Sequence, residues 1–248
     1  MAAVSVVVIT KNEEKNIRDA LSSASFADEI IVLDSFSTDG TVDICREFTD
    51  RVFQENWRGF SGQKQRAVEL ARNDWVFVLD ADERITPALA EEIKKLMEAG
   101  PERPGYYCPR RNHFMGREIR HGGWYPDYSV RLFDKKRGRF KERAVHEAVR
   151  LDGVAGYLKN PMLHFTYDSV SDYILRADKY STLAAQEMHK EGRRAKTSDL
   201  FLRPHMTFIR MYLLKRGFMD GVHGLLLAGL YSYYTFSKYA KLMEMGLR

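Results

Sequence analysis

Cysteine is nearly absent from this sequence: the 248 residues include only Cys45 and Cys108, with no CxxC pair. A disulfide framework and a cysteine zinc site are excluded, and a reducing compartment is the default. The glycine-rich phosphate signatures are missing too. Neither GxGxxG nor GxxxxGK followed by Ser or Thr occurs, so neither a dinucleotide fingerprint nor a P-loop is supported. The N-terminus lacks the basic stretch of a signal peptide. Its short apolar run leads straight into Lys11-Asn12-Glu13-Glu14 and reads as a buried strand. Val222–Ser237 carries no Asp, Glu, Lys or Arg, but its 16 residues are too few for a transmembrane helix. As a helix they would span about 24 Å, short of the roughly 30 Å hydrocarbon core. There is no internal repeat and no low-complexity segment.

What is present is ordinary globular composition, 44% hydrophobic and 29% charged, which argues against disorder. The net charge of +5 is unevenly spread. From His189 to Arg248 there are 11 Lys and Arg against 4 Asp and Glu, whereas the rest holds 28 against 30. A basic tail on a near-neutral body suggests an anionic partner for the tail, nucleic acid or phospholipid. The tail's apolar content makes it a poor phosphate-binding arm, so nucleic acid is disfavoured.

Strand and helix signals alternate over the first hundred residues. Apolar runs at Val4–Ile9, Glu29–Leu33, Arg51–Phe53 and Trp75–Leu79 read as strands. Helices are expected from Asn12 as cap to about Ala24, over Asp39–Phe48 and Ser61–Ala71, and from Thr86-Pro87 to about Glu98. Such alternation predicts a doubly wound α/β fold with a parallel sheet. Residues 106–165 carry shorter strand-like pieces, helical periodicity returns at Ser171–His189, Lys190–Asp199 reads as a hinge, and Leu200–Arg248 is helical, apolar and basic.

In an open parallel sheet, ligands bind beyond the carboxyl ends of the strands. Thr10 to Glu13, Asp34 to Thr41, and Asp80 to Glu83 therefore converge on one edge by topology. Asp80-x-Asp82 is the sharpest of these features, since two carboxylates at a strand end suit a divalent cation bridging to substrate phosphates. The alternative is a pair of solvated turn aspartates, with Asp82 helping to start the next helix. Asp34 could reach a nucleotide hydroxyl or base edge, while Thr38 or Asp39 caps the following helix. Lys64 and Arg66 fall in what reads as the first turn of a helix. There they oppose the macrodipole, which phosphate recognition would explain and a solvated charged face would also allow.

The order Val-Val-Val-Ile-Thr-Lys-Asn-Glu-Glu, Ile-Val-Leu-Asp-Ser-Phe-Ser-Thr-Asp-Gly-Thr and Phe-Val-Leu-Asp-Ala-Asp-Glu resembles glycosyltransferase family 2. Further along, Trp124-Tyr125-Pro126-Asp127, Arg131-Leu132-Phe133, Val145-His146-Glu147, Lys215–Gly221 and Lys238–Lys241 resemble the lipopolysaccharide-core β-1,4-glucosyltransferase subgroup. The resemblance implies a GT-A fold: a Rossmann-like, mainly parallel sheet flanked by helices, here with a C-terminal helical membrane-associating appendage. It implies a nucleotide-sugar half over 1–100, an acceptor half over 101–189 and a helical extension over 190–248.

It also implies roles. Thr10, Asn12, Glu13 and Asp34 would hold the nucleoside, and Lys64 would lie near the base or diphosphate. Asp80 and Asp82 would manage ribose and metal, with His164 as a further ligand of Mg²⁺ or Mn²⁺; a buried structural histidine is the alternative for His164. Family members invert the anomeric centre and need one general base. Glu147 is the first candidate and Asp127 the second, with His146 beside the acceptor. Trp124 and Tyr125 could form a platform for a sugar ring, or simply pack. The donor implied is UDP-glucose and the acceptor a lipid-linked heptose of the lipopolysaccharide inner core. The tail, with Tyr231, Tyr233, Tyr234, Phe236 and Tyr239 at headgroup depth, reads as a peripheral attachment to anionic lipid on the inner face of the cytoplasmic membrane. Packing of the same helices on the body or on a second subunit is the alternative. Two rival functions remain: a nucleotidyltransferase, disfavoured by Thr-Lys-Asn-Glu-Glu after the first strand, and a non-catalytic membrane adaptor.

Overall fold

The computed structural model describes residues 2–141 and 148–247, which form two compact units. The first comprises Met1–Arg110 and Asp127–His164, the second Arg111–Pro126 and Phe165–Arg248. The divisions fall within two strands, after Arg110 and after His164.

The first unit begins with β1 (Val4–Thr10), α1 (Glu14–Ser23), β2 (Glu29–Asp34), α2 (Thr41–Arg46), β3 (Val52–Gln54), α3 (Gly59–Leu70) and β4 (Trp75–Asp80). β5 (Glu83–Arg84), α4 (Pro87–Ala99) and β6 (Gly105–Phe114) follow. After β7 (Arg117–Glu118) come β8 (Asp127–Asp134), β9 (Gly138–Phe140), β10 (Val149–Leu151), β11 (Gly156–Tyr157) and β12 (Met162–Tyr167). The strand order is β3-β2-β1-β4-β8-β6-β12-β5, and β9 and β10 form a separate antiparallel pair. β3, β2, β1 and β4 are parallel; β8 then runs antiparallel to β4, with Phe77 opposite Leu132.

All seven residues of β1 are buried. Because side chains alternate across a strand, Val6 and Val8 pack with Ile17, Leu21, Leu89 and Ile93 of α1 and α4. Val7 and Ile9 pack on the other face with Leu33 and with Ala67 and Val68 of α3. Helices cover both faces, which is why the strand is apolar from Val4 to Ile9, Ser5 excepted. Thr86 caps α4, accepting the Leu89 N–H, with Pro87 at the first helical position. Cys45 and Cys108 are buried free thiols, each pushed up to about 12, foremost by burial. Two expectations change. Asn12 does not cap α1, and α3 starts at Gly59, so Lys64 lies in its second turn and the macrodipole argument does not apply.

In the second unit, α5 (Val170–Lys190), α6 (Thr197–Ile209), a π-helical turn (Arg210–Leu214), a 3-10 turn (Gly217–Asp220) and α7 (Gly221–Leu247) follow one another. Phe114, Ile119, Trp124, Met211, Leu227 and Ala228 make one core, and Ala185, Met188, Tyr239 and Leu242 another. Lys241 Nζ joins α7 to α5 through Asp178 Oδ1 at 2.6 Å. Two aromatics expected at headgroup depth lie inside instead. Tyr239 is buried, and Tyr231 packs on Trp124 and Tyr173. Among the described residues no helix is long and apolar enough to cross a membrane.

Candidate active site

At the carboxyl edge of β1 and β2, two loops are laced together. Asn12 has a φ of +56°, a region that Asn tolerates better than most residues. Its backbone N–H donates to Ser37 Oγ at 2.8 Å, and its Oδ1 accepts the Thr38 N–H at 2.8 Å. The Glu13 N–H donates to Thr41 Oγ1 at 2.8 Å, and the Gly40 N–H to Glu14 Oε2 at 3.2 Å. A Cβ on Gly40 would lie 2.9 Å from Glu14 Oε1, so a larger residue there would displace the carboxylate that accepts the Gly40 N–H.

Asp34 is fully buried behind this lacing. Its carboxylate accepts the Ser37 N–H at 2.9 Å, the Ser37 hydroxyl, and Gln54 Nε2 at 3.0 Å. A buried carboxylate must be hydrogen-bonded, and here the loop satisfies it. These contacts hold Asp34 at the base of the loop where the sequence led us to expect the nucleoside. Thr10 is also buried, and its hydroxyl has no hydrogen-bond partner among the described residues. Phe36, half-exposed at φ +56°, holds a strained backbone at the same edge.

The end of β4 carries a ladder of alternating charge. Lys64 Nζ, nearly buried, lies 2.7 Å from Asp80 Oδ1. Arg131 of β8 reaches Asp80 Oδ2 at 3.0 Å and also contacts Glu83 Oε1. Glu83 is completely buried and accepts the Asp80 N–H at 3.1 Å. Arg110 of β6 lies 3.4 Å from Glu83 Oε1 and 2.7 Å from Asp127 Oδ2. Burial opposes the charge on Asp80, but the Lys64 and Arg131 cations and their hydrogen bonds outweigh it. Its carboxyl is held well below the usual carboxylate range. Burial lowers the Arg84 guanidinium against the pull of Asp19, Asp82 and Glu13.

Asp82 stands outside the ladder. The antiparallel pairing of β5 with β12 sets His164 opposite Glu83, and His164 Nε2 comes 3.5 Å from Asp82 Oδ2. Both side chains are partly exposed. An oxygen and an imidazole nitrogen at that spacing are a donor pair that a divalent cation accepts. Among the described residues no third His, Cys, Asp or Glu joins them.

Sequence reasoning put Glu83 at the ligand edge only as part of the Asp80–Glu83 cluster, without a role, and missed Arg131 and Arg110 as site residues. The available signal was charge inside or next to apolar strands, above all Arg131 in the run Tyr128–Phe133. Trp124 is not a platform open to a sugar: it is buried among Phe114, Tyr167 and Tyr231 of the second unit, while Tyr125 stays 44% exposed. Glu147 and His146 lie outside the described residues.

The sheet is parallel through β4 and turns antiparallel after it, with Asp-x-Asp at the end of that strand. The fold is similar to that of a mannosyltransferase from Pyrobaculum calidifontis, solved in complex with GDP-Man and Mn²⁺. The TM-score is 0.50 at 17% identity, covering 98% of this chain and 74% of that one. Residues 5–162 match glycosyl transferase family 2. The lipopolysaccharide core biosynthesis glycosyltransferase LpsC of Rhizobium meliloti (strain 1021) is 32% identical over 253 residues, 97% of this chain and 92% of that relative. An uncharacterised glycosyltransferase of Rickettsia typhi is 27% identical over 260 residues, covering 100% of this chain and 89% of its own. The chain belongs to glycosyl transferase family 2 and is a glycosyltransferase.

Proposed function

We propose that the chain transfers glucose from UDP-glucose, with inversion, onto a lipid-linked saccharide, a heptose of the lipopolysaccharide inner core. The observation that carries the donor half is the Asp80 carboxylate, held ionised between Lys64 and Arg131 two residues before the Asp82 of the Asp82–His164 pair. The acceptor half is supported by the relationship to LpsC, a protein of lipopolysaccharide core biosynthesis.

Asp80 would accept hydroxyls of the nucleoside ribose, and Lys64 beneath it would lend positive charge towards the diphosphate. Thr10, with its unpartnered buried hydroxyl, and the laced Asn12 and Glu13 loop would form the floor and wall of the nucleoside pocket. Asp82 and His164 would hold Mg²⁺ or Mn²⁺, with diphosphate oxygens and water as the remaining ligands. Such a cation neutralises charge on the departing diphosphate.

In the reaction, the acceptor hydroxyl oxygen forms a bond to the anomeric carbon on the face opposite the diphosphate. The carbon–oxygen bond to the diphosphate breaks, its electron pair leaves with UDP, and the hydroxyl proton passes to a carboxylate base. Glu147 is the proposed base. Asp127 is second, because one of its oxygens is already engaged by Arg110. The acceptor reading also puts the enzyme in the cytoplasm, at the inner face of the membrane.

Calorimetric titration with UDP, with and without Mn²⁺ and with GDP as control, tests the donor reading. Metal-dependent binding selective for UDP is the expected result; no UDP binding in either condition would overturn it. Glu147→Gln is expected to keep donor binding and lose transfer, and full transfer activity would move the base to Asp127.

A further inference from the structure

Soluble helical units bury their apolar stripe. α6 packs Leu200 and Phe208 against the cores of its unit but leaves a second stripe bare: Leu202, Met206, Ile209 and, on the π turn, Leu213 are all exposed at helical spacing. The exposed run continues past the helix end with Leu214 at 71%, Phe218, Met219, and Val222 at 67%. Contiguous apolar surface of this kind, rimmed by polar residues, marks an interaction site.

The charge beside it has one sign. Arg210, Lys215 and Arg216 are exposed, and among the described residues none has an acidic partner within ion-pair distance. The two acids of the segment are already engaged. Asp199 holds Arg203 at 2.6 Å. Asp220, buried, accepts the Arg120 and His121 backbone N–H groups and lies 3.0 Å from the His121 ring.

The basic turn is also rigidly built. The Gly122 N–H donates to Lys215 O at 2.9 Å, and Arg216 takes a φ of +56° to end the helix. A Cβ on Gly217 would lie 2.7 Å from Met211 O. Lys215 and Arg216 are therefore presented on a fixed turn between the exposed pair Leu213–Leu214 and the exposed pair Phe218–Met219.

We propose that this face, from α6 through the basic turn to the first turn of α7, docks the enzyme on an anionic lipid surface. The apolar side chains enter the headgroup and upper acyl region, and Arg210, Lys215 and Arg216 meet lipid phosphates. The unpaired positive charge selects a lipid surface over a second copy of this chain, which would bring the same cations together. The inference deepens the proposed use of a lipid-linked acceptor, but its observations stand apart from the donor site.

The test is co-sedimentation of the full chain with vesicles of phosphatidylcholine alone and of phosphatidylcholine with phosphatidylglycerol, alongside hydrolysis of UDP-glucose in solution and sedimentation velocity. The wild type is expected to bind the phosphatidylglycerol vesicles and to bind far less to phosphatidylcholine alone. Lys215→Gln with Arg216→Gln should weaken that binding roughly thirtyfold, at the usual contribution of a basic residue near an anionic surface. Leu213→Ser with Leu214→Ser should abolish it with the circular dichroism unchanged, since both side chains are exposed. Donor hydrolysis should survive both pairs of changes, so a failure of docking is distinct from a failure of the transferase reading. Equal binding to both vesicle types, no vesicle binding, or a dimer that Leu213→Ser with Leu214→Ser converts to monomer would each overturn the proposal.

Discussion

The two units depart from ordinary protein design in opposite directions. The first puts charge inside: Lys64, Glu83 and Arg131 are buried, and Asp80 is held between two cations. The second puts apolar surface outside, along α6 and the turns after it. Buried charge is tolerated only when paired, and here the pairing is completed within the unit, rung by rung from Lys64 to Asp127. The exposed apolar face has no such compensation inside its own unit. The difference separates a site arranged by its own residues from a surface that its own unit leaves uncovered.

The most disruptive way to break this contrast is Arg131→Met. It leaves Glu83 buried without its nearest cation and should cost about 3–5 kcal/mol, read from the urea midpoint. An unchanged midpoint would mean that the ladder behaves as surface charge. Asp82→Ala should leave the midpoint nearly unmoved while weakening Mn²⁺-dependent UDP binding more than roughly tenfold, a loss of about 1.4 kcal/mol by calorimetry. Tight UDP binding by that variant, indifferent to a chelator, would remove Asp82 from the metal site.

Acid provides a third test. Asp80 is depressed in the folded protein relative to an unfolded value of about 3.9. Its stabilisation is therefore complete above about pH 4 and is lost as the pH falls below that value. Urea midpoints measured downward from pH 5 should drop more steeply for the wild type than for Asp80→Asn. Parallel curves would show that Asp80 does not contribute. Thr86→Ala removes the α4 cap and should cost about 1 kcal/mol in the same assay. Leu214→Ser should have the smallest effect, within about 0.5 kcal/mol, because its side chain is already exposed. A large loss there would show that the outer face is in fact packed.

Much of the first unit was legible in the chain. Val4–Ile9 is apolar at every position but Ser5, and only a strand covered on both sides requires that. Asp80 and Asp82 stood out because two carboxylates directly follow such a strand. The ladder through Glu83 did not, because Arg131 and Arg110 come to it from β8 and β6, dozens of residues away, through antiparallel pairings without a local signal. Asn12 looked like a helix cap for the same reason: its actual partners, Ser37 and Thr38, lie on the next loop. In the tail, composition announced an apolar and basic segment but not which residues pack. Tyr231 and Tyr239 went inward, and Leu213, Leu214 and Phe218 stayed outside.

The sequence by itself determined the parallel α/β half, the strand ends that carry the candidate site, the Asp-x-Asp pair and the basic, apolar character of the C-terminal region. These depend on periodicity and on residue type at a strand end, both local properties. Only the tertiary structure decided which carboxylates face the site and which are tied up behind it, that His164 meets Asp82, and which face of α6 stays bare. Those outcomes rest on helix packing and on strand register, and in a strand a one-residue shift turns every side chain to the opposite face.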